Sequence, residues 1–474
     1  MKSFLKWTLF AVVCLVTLYG LFVAVENWRG KHAWDVYQRE REAQGDSFDW
    51  KSVVPPPVPD AENFAMMPLF AELFPKPPQK PKLDALRLPN CADPMGDWHV
   101  GRAENLAAWK KCFTNEDLLA ALKLYEPMMR EISEALQQRP KCRFPIRYED
   151  QFGTLLPHLS QLRPLARVYR LRALAELSAG QTDAAFEGVR ICLRLADTIK
   201  DEPTLVSFLV RVALLDMAAQ PVWEGLAAHQ WNERHLTALQ AEFARADVLA
   251  GFALAMRGER LFAYNAIRWL IRHPQKLIPL LVTDHGSAPQ RWRSGLQRWL
   301  LRAVPSGWWY QNMLTTDRVH TESFLPAIDL AHRRLDPAKW RRMDQMFNDK
   351  ARSPCNVLSS QFLAAVAGCA KTAAAGQTTV DEVVAACALE RYRLAKGVWP
   401  DKLDALVPEF LGKVPTDIVT GGPLGYRCDG DRFWLWSVGW DGKDDGGVVV
   451  TTSEKPPRWE RDRGDWVWQS SRQS

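Results

Sequence analysis

Residues 7–25 form the one long apolar run of this chain, nineteen positions without a charge, preceded by Lys2 and Lys6 and closed by Glu26. As a helix the run is about 28 Å long, enough to span a hydrocarbon core of roughly 30 Å. A cleaved signal peptide is the competing reading. A cut after Ala24 would want a small residue two places upstream, where Phe22 stands, so the run reads as an uncleaved anchor. Lys2, Lys6 and the terminal amine favour a cytoplasmic N-terminus, although Arg29 and Lys31 reduce the charge asymmetry across the span. Everything after Glu26 is then expected outside the cytoplasm.

The chain has 474 residues, a length that suggests about three structural units. With 47% hydrophobic and 24% charged residues, most of it should fold. The 61 basic residues exceed the 55 acidic ones by six, spread thinly, so the chain is not expected to bind nucleic acid. Its 21 tryptophans often stand beside arginine, a pattern shared by packed cores and interfacial surfaces. Of the cysteines, Cys14 is in the anchor, while Cys192 and Cys387 lie in Ala/Leu-rich helical text and read as buried thiols. Cys91, Cys112, Cys142 and Cys428 lie near Pro, Gly or turn residues and are the better disulfide candidates, with no pairing readable. No C-x-x-C occurs, so neither a zinc ribbon nor a thioredoxin-type site is indicated.

Beyond the anchor, residues 26–45 read as an exposed, charged helical stalk. Pro55, Pro56, Pro57 and Pro59, then Pro75, Pro77, Pro78 and Pro81, force residues 53–83 into extended chain. Phe64, Met66, Met67, Leu69, Phe70 and Phe74 are too apolar for a free linker and should pack on the body. From Thr114, with Asp117 in a capping arrangement, Leu118, Leu122, Tyr125, Met129, Ile132 and Leu136 mark one helix face. Pro164 opens a second helix, Gly180 ends it and Asp183 begins a third, which makes an αα-hairpin. Gly180 and Ala185 have the spacing of a tetratricopeptide turn, but no copy follows at a 34-residue period. A stack of antiparallel helices is therefore expected, continuing over residues 204–226, 232–245 and 249–272. Residues 290–303 place Trp292, Leu296, Trp299 and Leu300 on one face, with Arg291, Arg298 and Arg302 around it, followed by Trp308, Trp309 and Tyr310. Such a helix suits either a membrane surface or the helical body.

Catalytic grammar is sparse. There is no G-x-S-x-G, no H-E-x-x-H, no Walker loop and no dinucleotide fingerprint. Asp284-His285-Gly286 is the most suggestive local group, but it has no adjacent nucleophile or second ligand and reads as loop structure. No catalytic residue is assigned. Near the C-terminus a helix over residues 379–396 ends at Gly397. After several Pro and Gly breaks, Leu424, Tyr426 and Cys428 alternate with Gly425 and Arg427; Asp429-Gly430 turns the chain, and residues 432–438 return as a strand. Asp441, Asp444 and Asp445 follow within five positions, separated and followed by glycines. That is either a solvated acidic turn or a loop able to wrap Ca²⁺, which takes six to eight oxygen ligands.

This ending resembles the soluble part of the major pseudopilin of type II secretion systems. The matching text is Ala388-Leu389-Glu390-Arg391-Tyr392, Gly397-Val398-Trp399-Pro400, Leu403, Leu406-Val407-Pro408, Val414-Pro415-Thr416-Asp417, Gly422-Pro423-Leu424-Gly425-Tyr426, and the run from Ser437-Val438-Gly439-Trp440-Asp441 to Gly447. The resemblance implies a small α+β module and calcium in the loop after the β-hairpin, with Asp441 at the matching place. It departs at Ile418 and Thr420, and at the N-terminus, where Gly20 lies late in the apolar run; processing as a pilin is not expected. Val53-Val54-Pro55-Pro56-Pro57-Val58-Pro59-Asp60-Ala61-Glu62-Asn63-Phe64-Ala65 resembles a second signature, that of large membrane-anchored bacterial proteins carrying the same ending. Residues 163–202 and Gly307-Trp308-Trp309-Tyr310-Gln311-Asn312 belong to that likeness, which implies an architecture and no activity.

Together these readings predict a mainly α protein with an N-terminal transmembrane helix, an α-solenoid-like antiparallel stack and a pseudopilin-like α+β module. The expected divisions are an anchor over residues 1–26, a stalk and Pro-rich segment over 27–113, a helical domain over 114–375, the module over 376–452 and a Trp/Arg-containing tail over 453–474. The expected location is the inner membrane, single-pass, with the bulk periplasmic. The expected role is a binding or scaffold component of the cell envelope with a protein partner, possible calcium at Asp441, Asp444 and Asp445, and no other cofactor. An envelope hydrolase with a dispersed site is the alternative.

Overall fold

The computed structural model describes residues 2–74, 115–273, 304–350, 368–453 and 459–470, with positions 358, 359, 363 and 366. The chain is mainly helical, 65% helix against 9% strand, so the sheets are accessories to a helical body. Asp284, His285, the helix expected over residues 290–303, Cys91, Cys112 and residues 75–83 lie outside the described residues.

Helix α1, Lys2–Ala43, runs unbroken from the apolar segment through the stalk. Its segment from Phe4 is long and apolar enough to cross a membrane and buries nothing against the body in its most apolar stretch. The stalk is not the exposed rod that its charges suggest. Trp34 and Tyr37 are 3% and 5% exposed, because every third or fourth residue of this half of α1 meets the body.

The helix expected from Thr114 onward is two helices, α2 (Asn115–Leu122) and α3 (Glu126–Gln138), joined by a 3₁₀ turn at Lys123–Tyr125. Pro127 explains the break: it has no N–H to continue the ladder, and it fits only the first turn of a new helix. Helix α4 (Leu159–Ser178) begins earlier than expected and carries Pro164 inside it. Helix α5 (Thr182–Asp197) follows the turn at Gly180, whose φ of +73° needs no Cβ. The two pack closely where Gly188 meets Ala173: a Cβ on Gly188 would stand 3.3 Å from that of Ala173.

Helices α6 (Leu205–Ala227), α7 (Glu233–Ala244) and α8 (Val248–Arg272) start where the sequence places them, each on a polar cap. Thr204, Asn232 and Asp247 accept hydrogen bonds from the N–H groups of Ser207, His235 and Ala250 respectively. Helix α6 is also long and apolar enough to cross a membrane, but 72% of its apolar window is buried in the body, where it forms the core. Helices α9 (Ser306–Val319) and α10 (Pro337–Lys350) flank a two-residue hairpin, β1 (Ile328–Asp329) with β2 (Arg334–Leu335).

Helix α11, Cys369–Lys396, is ten residues longer at its start than expected and is buried on all sides from Ala373 to Glu390, packing on α6, α7 and α8. It crosses position 376, and one continuous apolar core extends from Phe64 to Trp468. The expected hairpin is present as β3 (Gly425–Asp429) and β4 (Arg432–Ser437), paired antiparallel with Asp429 opposite Arg432. The final residues also fold. Strands β5 (Val449–Thr451) and β6 (Trp459–Gly464) pair, and β7 (Trp466–Gln469) adds to β4 to give the order β3-β4-β7. Trp466 and Trp468 are each 1% exposed, so these tryptophans serve the core. The Trp223 indole N–H donates to the Gln469 carbonyl at 2.8 Å and ties β7 to α6.

The Pro-rich segment is not extended as expected, since Asp60–Glu62, Phe64–Met66 and Pro68–Ala71 form short helical turns, but its apolar residues pack on the body: Phe64, Met67 and Phe70 are buried, and of those named above only Met66 stays exposed. Asn63 aligns the segment beside residues 141–143, donating to the Arg143 carbonyl and accepting from the Arg143 and Ala65 N–H groups. Cys192 and Cys387 are buried thiols. Cys142 and Cys428, read as disulfide candidates, are free: Cys142 is enclosed beside Ala65, and Cys428 faces Phe433 across β3 and β4.

Candidate functional site

Two places combine polar chemistry with position. The first is the junction between α1 and the body. Helices α1 and α9 run side by side in the same direction, and their backbones meet at two glycines. A Cβ on Gly30 would lie 2.1 Å from the Gly307 carbonyl oxygen, and one on Gly307 would lie 1.9 Å from the Glu26 carbonyl oxygen. Only glycine permits this approach. Two hydrogen bonds use it: the Gly307 N–H donates to Asn27 Oδ1 at 2.9 Å, and the Trp308 indole N–H donates to Glu26 Oε2 at 3.0 Å. The Trp308 ring also meets Phe22 edge-on, with centroids 6.3 Å apart.

About seven residues further along α1, a buried charge network fastens the same helices to α8. Arg260 places a fork on Asp317, at 2.7 Å and 3.2 Å, and the Tyr37 hydroxyl donates to Asp317 Oδ2 at 2.9 Å. Arg260 also reaches Asp46 at 3.3 Å, which accepts from Arg41, and its guanidinium lies over the Phe48 ring. Asp317 is 2% exposed and Arg260 7%, so each charge depends on the other for compensation. Burial, and then the Asp317 carboxylate, push the Tyr37 phenol up to about 12, so it is a donor at neutral pH. Burial drives neighbouring His320 down to about 4; the neutral ring donates from Nδ1 to the Thr316 carbonyl at 2.9 Å.

The second place is the aspartate loop after β4. Asp441 accepts the Lys443 N–H through Oδ1 and the Gly464 N–H through Oδ2, while Asp444 Oδ1 accepts from the Trp436 indole and the Gly446 N–H. Asp445 is exposed, and its own N–H donates to a fourth carboxylate, Asp465, that sequence reasoning missed. Asp465 is fully buried and accepts from Asp445, Gly447 and Val448; burial raises its pKa and these N–H groups oppose the rise. No sequence signal marks it, since twenty residues separate it from Asp445. The loop is thus organised by protein donors, and among the described residues no three His, Cys, Asp or Glu side chains are grouped to hold a metal. Asp417, in the text likened to a pseudopilin, is buried and shapes the loop before β3. Its carboxylate accepts from Val419, Thr420 and Val438.

One constellation of hydrolytic residue types also escaped the sequence reading. His158 Nε2 lies 2.9 Å from Glu202 Oε1, and the Ser207 hydroxyl donates to the same carboxylate. The serine is bonded to the acid rather than to the imidazole, and His158 and Ser207 are both fully buried, His158 stacked on Phe144. A nucleophile must reach a base and a substrate. This group closes the turn between α5 and α6.

Comparison with protein-family models, curated proteins and solved structures finds no match to this chain.

Proposed function

We propose that the chain is a single-pass membrane protein of the bacterial cell envelope whose periplasmic body binds or scaffolds a protein partner. The single observation that carries the anchored reading is the helix junction. Residues 26–37 of α1 are built into the body through Gly30, Asn27, Tyr37 and Trp34, directly after an apolar run in which no residue is buried. A helix that leaves a bilayer and enters a core without interruption suits an integral anchor. The envelope setting and an association with a secretion or pilus-like assembly rest on the pseudopilin resemblance of the C-terminal text, and so does calcium in the Asp441 loop. The exposed carboxylates of Asp444 and Asp445 support calcium, whereas the N–H bonds held by Asp441 and Asp444 must yield or be shared for an ion to enter.

The test is topological. Washed membranes should keep the full chain through salt and alkali. Protease should reach the body only after the outer envelope is permeabilised. Release by alkali as soluble protein would refute the anchor, and digestion from the cytoplasmic side alone would refute the orientation.

A further inference from the structure

We infer that the body has its own lipid-facing surface, formed where α8 ends and α9 begins, and that it rests on anionic headgroups. The inference depends on α1 being a membrane anchor. Two tryptophans frame the span: Trp7 is 71% exposed and Trp28 68%. They are 21 residues apart in one helix, or about 32 Å, close to the thickness of the hydrocarbon core. Exposed indoles at both ends of a span mark the two interfaces.

The body reaches that level. Trp308 touches Phe22, which lies inside the apolar run, and bonds to Glu26, which closes it. Helix α8 runs the opposite way to α1, with Arg260 beside Asp46 and Tyr264 stacked on Trp34 at 5.5 Å. Eight residues beyond Tyr264 is Arg272, and eight residues before Trp34 is Glu26. At about 1.5 Å per residue both steps are about 12 Å, so Arg272 arrives at the level of Glu26. Trp269 lies one turn above and packs half-buried on the same apolar cluster as Trp309 and Val304. The end of α8 and the start of α9 therefore lie on one face of the body. Arg272 is exposed there, and Lys31, paired with Asp35, keeps 58% of its side chain in solvent. Indoles at headgroup depth beside exposed cations fit an anionic bilayer surface.

Tryptophan quenching by brominated lipid tests this in the full chain, reconstituted in phosphatidylcholine vesicles with or without phosphatidylglycerol. Trp28→Phe reports the anchor, and Trp308→Phe and Trp269→Phe report the proposed surface. Each substitution should remove part of the quenchable emission, and the share lost with Trp269→Phe should at least double in anionic vesicles. Arg272→Glu, at an exposed position that leaves the core untouched, should abolish that increase, and it keeps the test decisive where Trp308→Phe fails to fold. A loss seen only with Trp28→Phe would overturn the surface while leaving the anchor standing; no loss with any of the three would overturn both. Equal losses in neutral and anionic vesicles would overturn the headgroup assignment. Protection of Trp308 that disappears on dilution would overturn it in favour of a second copy of the chain.

Discussion

Adding one methyl group where α1 meets α9 should open the junction. In Gly307→Ala the new Cβ falls 1.9 Å from the Glu26 carbonyl oxygen, whereas ordinary contact begins at 3.4 Å, so the helices must separate by about 1.5 Å. Both obstructing groups are helix backbone, so no flexible side chain can yield. Overpacking of this kind costs about 1–3 kcal/mol. The same displacement stretches the Gly307–Asn27 and Trp308–Glu26 bonds, whose net worth is about 1 kcal/mol each. With half of that worth lost to the stretch, the expected destabilisation of the junction is about 2–4 kcal/mol, equivalent to roughly 30- to 1,000-fold in a local opening equilibrium. Hydrogen exchange reads this directly at the amides of residues 307 and 308 in the full chain in detergent. Exchange there should accelerate by that factor, with α6 and α11 unchanged. Gly30→Ala should do the same, since its Cβ would lie 2.1 Å from the Gly307 oxygen. Gly20→Ala is the control: the same helix and the same change, with nothing within 4 Å. Unchanged exchange in Gly307→Ala, or equal acceleration in Gly20→Ala, would refute the reasoning.

Asp317→Ala leaves Arg260 buried without its carboxylate and should lower stability by about 3–5 kcal/mol in denaturant titration, with much of the loss recovered when Arg260→Met is added. His320 has a folded pKa of about 4 against an ordinary 6.5, so the unfolded chain binds the extra proton first. Its contribution is complete above pH 6.5 and is lost as the pH falls toward 4, about 3 kcal/mol in all; His320→Phe should flatten that part of the stability profile, and an unchanged slope would refute it. Asp381, raised by burial to about 6, acts in the opposite sense, because protonation relieves its desolvation as the pH falls below 6; the two are separated by comparing variants rather than by reading the wild-type curve alone. Millimolar calcium should raise the melting temperature of the full chain by mass action and lose that effect in the Asp441→Ala, Asp444→Ala double variant. No rise, or an equal rise in the variant, rejects calcium at this loop.

What was legible in the sequence was local. The helices over residues 204–226, 232–245 and 249–272 were legible because each starts on a cap that serves an N–H within four residues, and Asp429-Gly430 announces a hairpin because its strands adjoin it. The start of α11 was missed for a physical reason. A helix buried on every side has no polar face, so Ala373, Ala374 and Ala375 show no 3.6-residue period. Strand β7 was read as tail because its partner, β4, lies some thirty residues earlier and no turn links them directly. The junction was hidden more deeply still. Gly30 in a charged helix and Gly307 before two tryptophans are unremarkable apart, and only the tertiary fold places one against the other. Asp441, Asp444 and Asp445 were found as a cluster, but the buried Asp465 that organises their loop carries no local signature.

The burial of α11 also narrows how any partner is bound. If the C-terminal text were a module hanging from the body, its helix would offer a face for docking. Instead residues 369–390 of that helix are almost wholly enclosed, and Glu390 is held by Arg393 and His229 within the body. Trp223 ties β7 to α6, and Lys371 of α11 pairs with Asp462 of β6. Among the described residues, surface on this side includes the outer edge of β3, which pairs there only with β4, and the turn beyond Gly397, where Val398 is 63% exposed. An edge strand offers a row of N–H and C=O groups to an incoming extended segment. A partner recognised here would therefore meet strand edge and turn.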